Sequence, residues 1–214
     1  MTRDTSAKAG RPRTYIIRKA QASDIAAVEQ LYSDVLEAQE RGVNYTNWQR
    51  GLYPTRADAE RALGEGTLYV AQAAGPETGL ERAPETGPDA GETAGSEEIA
   101  GFIAGAAILN HDQPAEYGGL KWSVEAEGNE VLVIHTLCIS PHFRNAGLGR
   151  KFVEFAEEQA RSLGCRTVRF DTYEGNTPAT ALYTKLGYTI VGTAEFHFQK
   201  LIWETLRCFD KVIR

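Results

Sequence analysis

The residue types best suited to chemistry lie where an apolar, strand-like run gives way to a helix. After the run 130–139 and Pro141 comes Arg144-Asn145-Ala146-Gly147-Leu148-Gly149-Arg150, the glycine loop, which opens the helix. Two glycines let the backbone turn several N–H groups into one concavity, and a helix start adds unpaired N–H donors and the positive end of its dipole. Arginines at both ends add positive charge. This pattern predicts a site for a phosphate or a diphosphate.

Two familiar phosphate-binding motifs do not fit the glycine loop. A P-loop needs a second glycine followed by Lys and Ser/Thr, and the dinucleotide fingerprint needs a third glycine and a parallel βαβ unit. Phe152 occupies the required glycine position in both motifs. The alternatives that remain are another kind of anion-binding loop and a helix cap that binds nothing.

A histidine in the preceding strand-like run is the candidate for proton transfer. His135 would share a face with Val133, Leu137 and Ile139, because side chains alternate along a strand. A histidine titrates near neutral pH and so suits the removal of a proton. The competing interpretation is a core histidine satisfied by its neighbours, and Glu130 at the strand start is a weaker alternative base.

The elements that must position these residues follow from apolar periodicity, glycines and capping residues. Four helices are predicted, one capped by Ser23, one opened by Thr55 and Asp58, one over 148–163, and one with Thr177 as its cap. The predicted strands cover 14–20, 67–73, 99–109, 130–139, 167–173, 188–196 and 201–213.

The order of these elements is β-α-α-β-β-β-α-β-α-β-β, with glycines in 99–109 that indicate bulges or close backbone approach. Consecutive strands without intervening helices favour a mixed, mainly antiparallel sheet over a doubly wound one. The predicted fold class is therefore α/β of the α+β type, with six to seven strands flanked by about four helices.

Length and charge predict one domain over 14–213 with a leader and an insertion. Residues 1–13 are expected to be a disordered leader. Residues 74–98 hold seven of the 29 acids, one of the 23 bases, five glycines and three prolines. Such a segment buries too little to offset its ordering entropy, so a mobile acidic insertion is predicted, and the remaining chain is close to neutral.

Several classes of protein are disfavoured by composition. No apolar run approaches the roughly 20 residues of a membrane span, and no basic stripe indicates nucleic-acid binding. The start, MTRDTSAKAGRPRTY, lacks the apolar core of a secretory signal, which predicts a cytoplasmic protein. The spacing of Cys, His and acidic residues predicts no metal site. A homodimer is left open.

Four motifs together resemble the GNAT superfamily of acyl-CoA-dependent N-acyltransferases. The glycine loop fits Arg/Gln-x-x-Gly-x-Gly/Ala, and an apolar-x-apolar-x-Pro run precedes it at 137–141. An Asn-x-x-Ala-x-x-Leu-Tyr run lies at 176–183, and Lys-x-Gly-aromatic follows at 185–188. The resemblance covers about 14–213, without the acidic insertion, and its specific motifs lie within 131–192.

The resemblance implies how acetyl-CoA would be held. Backbone groups of Leu137 and Ile139 would pair with the pantetheine arm as with an added strand. Backbone N–H groups from Asn145 to Arg150 would hold the diphosphate, and the Arg144 and Arg150 side chains would add positive charge unless they are solvated surface residues. Asn176 would contact the cofactor arm; the alternative is that it caps the following helix.

The resemblance also implies the catalytic residues. Tyr183 would protonate the leaving thiolate, unless it is only a core tyrosine, and the Ile139 N–H would stabilise the oxygen of the tetrahedral state. His135 stands where arylalkylamine N-acetyltransferases place a proposed catalytic histidine and would act as base or through a water relay. Many GNAT enzymes use a glutamate two residues earlier, where this chain has Val133.

The expected activity is transfer of an acetyl group from acetyl-CoA to a primary amine by direct attack in a ternary complex. Trp48 and Tyr53 would wall an acceptor pocket or merely pin their loop to the core, and His197 is a further lining candidate. Small-molecule amines are favoured. A protein N-terminus or lysine as acceptor, and a non-catalytic acyl-CoA sensor, are the alternatives.

Overall fold

The computed structural model of the chain describes residues 14–74, 102–198 and 201–214. These ranges form seven strands and four α-helices in the predicted order. The strands are β1 (Thr14–Lys19), β2 (Leu68–Ala74), β3 (Ile103–Asn110), β4 (Val131–Ile139), β5 (Thr167–Tyr173), β6 (Thr189–Phe198) and β7 (Ile202–Val212). The helices are α1 (Ile25–Glu40), α2 (Arg56–Gly64), α3 (Leu148–Leu163) and α4 (Thr177–Lys185). The predicted leader 1–13 and all but the first residue of the predicted insertion lie outside the described residues.

The strands form one sheet in the order β1-β2-β3-β4-β5-β7-β6. All neighbouring pairs are antiparallel except β4 and β5, which run parallel. This confirms the predicted mixed, mainly antiparallel sheet. The one parallel pair exists because α3 carries the chain from the end of β4 back to the start of β5.

Helices cover both faces of the sheet. On one face, α1 and α2 bury residues such as Val28 and Ala59 against Val70 of β2. On the other face, α3 buries Phe152 and Val153 against alternate residues of β2 to β5. The amphipathic pattern of 148–163 predicts this burial, and the observed bounds of α3 are the predicted ones.

Two of the predicted helix caps are wrong. A 3-10 turn precedes α1, so Ser23 lies inside that turn and does not cap the helix. The α4 helix is capped by Asn176, whose side chain accepts a hydrogen bond from the Ala179 N–H, and Thr177 is its first residue. The reciprocal capping box of Thr55 and Asp58 at α2 is confirmed.

The parallel pair β4–β5 separates soon after it begins. Its register runs only from Val131↔Thr167 to Val133↔Arg169. Beyond that point β5 continues to pair with β7, while β4 continues to pair with β3. The sheet therefore opens into a cleft between residues 134–139 of β4 and the second half of β5.

A β-bulge in β4 changes which side chains face this cleft. Ala106 of β3 pairs with Cys138, but Ile108 pairs with His135, so β4 carries one extra residue, and Thr136 has a φ of 51°. Leu137 consequently packs against the core on the α3 side that Ile134 also joins. The prediction that His135 shares a face with Leu137 and Ile139 is wrong, because the bulge interrupts the alternation.

The bulge region explains a glycine in β3. A Cβ at Gly105 would lie 2.9 Å from Ile139 Cδ1, 2.9 Å from a ring atom of Phe152 and 3.0 Å from the Cys138 carbonyl oxygen.

We expect Gly105→Ala to destabilise the fold by about 1–3 kcal/mol through overpacking, measured by urea unfolding. Gly64→Ala is the matched control, since a Cβ there meets nothing within 4 Å; equal stability of the two variants would contradict the close approach.

Candidate active site

The glycine loop presents unpaired backbone donors at the start of α3. Asn145 and Gly147 adopt left-handed conformations, with φ of 62° and 75°. The hydrogen bond from the Lys151 N–H to the Gly147 carbonyl, at 3.2 Å, is the first of the helix. The N–H groups of residues 148–150 therefore precede the helical ladder and have no partner within it. This geometry suits an anion.

The remaining predicted members of the loop contribute unequally. The Ala146 N–H donates to the Phe143 carbonyl at 3.3 Å, so this amide is already engaged. The Arg144 side chain is exposed, and Arg150 lies 3.6 Å from Glu154 in a solvent-accessible ion pair. Surface pairs of this kind are weak, and both guanidinium groups can turn toward a phosphate. The Leu148 side chain is buried and anchors the loop to the core.

The β4 edge connects the loop to the cleft. Residues 134–139 face the opened side of the β4–β5 pair, where the described chain supplies no partner strand. Leu137 and Ile139, the two residues predicted to pair with a pantetheine arm, lie on this stretch. An extended molecule can add to such an edge through main-chain hydrogen bonds.

A cavity of about 360 Å³ occupies the cleft. It collects residues from β4, β5, α4, the β6–β7 hairpin and the α1–α2 connection. Of the residues predicted from sequence, the following line it: Trp48, Tyr53, His135, Leu137, Asn176, Tyr183 and His197. The cavity and the glycine loop thus lie at the two ends of one β4 edge.

His135 is held in one tautomer by its neighbours. Its Nε2 lies 2.9 Å from Asn110 Oδ1 and 3.1 Å from the Asp112 carbonyl oxygen. A carbonyl oxygen only accepts, so Nε2 carries the hydrogen and Nδ1 has the lone pair. Burial lowers the pKa of His135 below its usual value of 6.5. The imidazole is therefore neutral at physiological pH and can accept a proton at Nδ1.

The Tyr183 ring packs in the core, and the residue also lines the cavity. Its ring lies 4.4 Å from Phe170 and 5.4 Å from Phe209, centroid to centroid, in the core between α4 and the sheet. Burial raises the pKa of Tyr183 well above its usual range. The hydroxyl thus stays protonated at physiological pH and can act as a proton donor.

Asn176 is engaged in local structure. Besides capping α4 through Oδ1 at 3.2 Å, it donates from Nδ2 to the Thr172 hydroxyl at 3.1 Å. The amide keeps one N–H and one lone pair beyond these two bonds. Capping, which was the alternative prediction for Asn176, is confirmed, and a contact with a cofactor arm stays a prediction.

Aromatic side chains wall the outer part of the cavity. The Tyr53 ring packs edge-on against Trp48 at 5.9 Å and against Phe198 at 4.8 Å. The Tyr53 hydroxyl also hydrogen-bonds the Thr136 hydroxyl, which ties this wall to the β4 bulge. The exposed His197 side chain stacks on Trp203 at 4.1 Å, at the rim.

Sequence reasoning missed two carboxylates in the cavity wall. Asp171 of β5 accepts a hydrogen bond from the Tyr117 hydroxyl at 2.8 Å, and Glu204 of β7 accepts one from Asn47 at 3.0 Å. The available signal was an acid that directly follows the four buried residues that begin the strand TVRFDTY. Glu130, the weaker candidate base, does not line the cavity and pairs with Arg166 at 3.5 Å.

Two absences concern only the residues that the structure describes. None of their helices is both long and apolar enough to cross a membrane. Nor do three or more of their His, Cys, Asp and Glu side chains come together in a group that could hold a metal ion.

The fold with this opened β4–β5 pair and glycine loop is shared with solved acetyltransferases of the GNAT class. A GNAT-family acetyltransferase from Streptococcus agalactiae superposes with a TM-score of 0.68 at 20% identity, over 94% of this chain and 96% of that one. YncA from Salmonella typhimurium, solved with its cofactor acetyl-CoA, gives 0.57 at 17% identity over 94% of each chain.

Sequence similarity supports the same assignment. The profile of the Acetyltransferase (GNAT) family matches residues 74–188, slightly more than half of the chain. The chain therefore belongs to the GNAT acetyltransferase family, as the sequence motifs indicated. Mycothiol acetyltransferase from Corynebacterium glutamicum is 37% identical over 114 residues, which are 53% of this chain and 38% of that protein. The chain thus spans well under half of that relative's length.

Proposed function

We propose that the protein is an N-acetyltransferase that moves an acetyl group from acetyl-CoA to a primary amine by direct attack in a ternary complex. The observation that carries the proposal is the continuous β4 edge between the donor-rich glycine loop and the cavity. Acetyl-CoA supplies the acetyl group as a thioester. A protein of similar fold, YncA, binds acetyl-CoA as its cofactor, which supports this choice of donor.

The glycine loop and β4 would bind the donor. N–H groups of residues 147–150 would hold the diphosphate, with Arg144 and Arg150 adding charge from the loop ends. A Cβ at Gly147 would meet nothing within 4 Å, so the space beside this residue can accept an anion. Main-chain groups of Leu137 and Ile139 would orient the arm so that its thioester enters the cavity near Tyr183.

Each chemical step has a candidate group in the cavity or on the adjoining β4 edge. His135 takes a proton from the ammonium at Nδ1, directly or through water, and the neutral nitrogen attacks the thioester carbonyl. The Ile139 N–H stabilises the negative oxygen of the tetrahedral state. As the C–S bond breaks and the amide forms, Tyr183 gives its hydroxyl proton to the sulfur and recovers a proton from the product nitrogen through the cavity.

The cavity favours a small acceptor. Its volume of about 360 Å³ lies near the lower end of ordinary ligand pockets. Its outer wall is aromatic, formed by Trp48, Tyr53 and Phe198, which suits an acceptor with apolar or aromatic character. These features support a small-molecule amine over a protein chain.

The direct test is an assay of free thiol released from acetyl-CoA in the presence of small amines, amino acids and short peptides. We expect amine-dependent release, with small amines as the best acceptors. Peptides as the best acceptors would replace the small-molecule assignment. Binding of acetyl-CoA without release for any acceptor would contradict an enzymatic role and favour the sensor.

Replacing Tyr183 by phenylalanine should reduce kcat roughly 10²-fold, the lower end of the range for loss of a general acid. The ring packing against Phe170 and Phe209 is preserved by this change. Tyr188→Phe is the matched control, because Tyr188 is a buried tyrosine of the same core that does not line the cavity. A loss below about threefold for Tyr183→Phe would assign thiolate protonation to solvent.

A further inference from the structure

Asp171 is a carboxylate in the cavity wall that has no role in the proposed catalytic steps. It lies on β5 just past the point where β4 and β5 separate, and its strand is fixed on the other side by pairing with Cys208 of β7. The Tyr117 hydroxyl donates to Oδ2 at 2.8 Å, which holds the carboxylate in place from the 3-10 turn at 115–119. Asp171 lines the same cavity as His135 and Tyr183.

The charges around Asp171 leave it without a cation. Burial raises the pKa of Asp171 to about 6, and the nearby acids Glu204 and Glu116 act in the same direction, while the Tyr117 hydrogen bond opposes them. Burial also raises the pKa of Glu204. The titratable or charged groups that interact with Asp171, line the cavity with it or lie beside it on β5 are Glu116, Tyr117, Glu204, Cys208, Tyr53, Tyr183, Tyr173, His135, His197 and Arg169.

Within the cavity, no positive side chain of the described residues compensates the carboxylates of Asp171 and Glu204. The described residues that line it include no lysine or arginine. Arg169, two residues before Asp171 on β5, donates instead to Gln113 Oε1 at 2.6 Å and to the Val124 carbonyl at 2.9 Å. Burial lowers the pKa of His135 below 6.5, so this ring supplies no positive charge at physiological pH.

We propose that the Asp171 carboxylate receives the ammonium of the acceptor, and that the acceptor is an aliphatic primary amine with no carboxylate beside the amine. The proposal rests on the function proposed above and names the substrate class of that site. An ammonium against Asp171 supplies the missing countercharge. An amino acid would bring a third carboxylate toward those of Asp171 and Glu204, and like charges at close range cost affinity. Asp171 thus binds the ammonium, and His135 removes its proton.

The test is calorimetric binding to the complex with CoA, which lacks the acetyl group and cannot react. The probes are matched pairs that differ by one carboxylate: 2-phenylethylamine and phenylalanine, tryptamine and tryptophan, cadaverine and lysine. We expect the amine to bind at least tenfold more tightly than its amino acid in every pair that binds. Asp171→Asn should weaken amine binding roughly 30-fold, the lower range for truncating one partner of a buried charge pair. Glu195→Gln, an exposed acid on β6, controls for net charge.

A second variant keeps the proposal testable if Asp171→Asn does not fold. Amine affinity should fall as pH drops through about 6, because protonation removes the Asp171 charge. Tyr117→Phe removes the hydrogen bond that lowers this pKa, so the fall should move up by roughly half a pH unit. If protonation of His135 caused the loss of amine affinity, the pH at which affinity falls would be the same in Tyr117→Phe as in the wild type.

The outcomes separate this proposal from the proposed function. Tighter binding of an amino acid than of its amine, no binding of any of the three amines, or an unmoved pH limb in Tyr117→Phe would overturn the role of Asp171. Acetylation of amino acids would leave the enzymatic function standing and overturn the substrate class. Amine binding that depends on Asp171, without turnover, would overturn the function and retain the ammonium site.

Discussion

Gly147→Val is expected to abolish most of the thermal stabilisation that acetyl-CoA gives the protein. A ligand at 100 times its Kd stabilises the folded state by about 2.7 kcal/mol, and the same concentration should give well under 1 kcal/mol in the variant. Valine disfavours the left-handed conformation that Gly147 holds at a φ of 75°, and its side chain would enter the space beside the cradle. Thermal unfolding at increasing acetyl-CoA concentrations measures the change.

Gly164→Val is the matched control for this experiment. Gly164 ends α3 at a φ of 74°, and a Cβ there also meets nothing within 4 Å. The two variants therefore carry the same backbone penalty at opposite ends of one helix. The control should unfold at a lower temperature and keep its full response to acetyl-CoA. An undiminished response in Gly147→Val would remove the glycine loop from the cofactor site.

His135→Ala is expected to lower kcat roughly 10²–10⁴-fold with any accepted amine, the usual range for loss of a general base. In the wild type kcat at saturating amine, which is insensitive to weakened amine binding at Asp171, should fall as pH drops through the pKa of His135, which lies below 6.5 because burial disfavours the charged ring. This acid limb should be lost in the variant. Steady-state kinetics of thiol release from pH 5 to 8 measures both effects.

His135→Gln separates a base from a structural residue. A glutamine amide can still donate to Asn110 and to the Asp112 carbonyl, the two partners of Nε2, but it cannot take up a proton near neutral pH. If His135 is the base, the glutamine variant is as slow as the alanine variant. Recovery of wild-type kcat in His135→Gln would show that only the hydrogen bonds matter.

The helices and strands could be predicted from the sequence where their pattern of apolar and capping residues is local and repeated. The bounds of α3 follow from its apolar stripe and from glycines at both ends, and Thr55 with Asp58 marked α2 through side chains three residues apart. Runs of apolar residues located all seven strands. These features depend on neighbours along the chain, which a sequence displays directly.

The parts that could not be predicted depend on contacts between distant segments. The extra residue at Thr136 appears only in the register of β4 against β3, and it reversed the face predicted for Leu137 and Ile139. The place of Asp171 beside Tyr117, 54 positions away, depends on how the 115–119 turn folds over β5. The part of the site proposed to bind the cofactor is thus predictable from local motifs, whereas the part proposed to bind the acceptor is assembled by the tertiary structure.

The most direct test of the account is a crystal structure of the protein with acetyl-CoA. We expect diphosphate oxygens within about 2.7–3.2 Å of the backbone nitrogens of residues 147–150. We also expect the arm to lie along Leu137 and Ile139, with the thioester sulfur facing Tyr183. A diphosphate bound elsewhere, with the glycine loop making no contact to the ligand, would contradict the central claim that this loop positions the thioester.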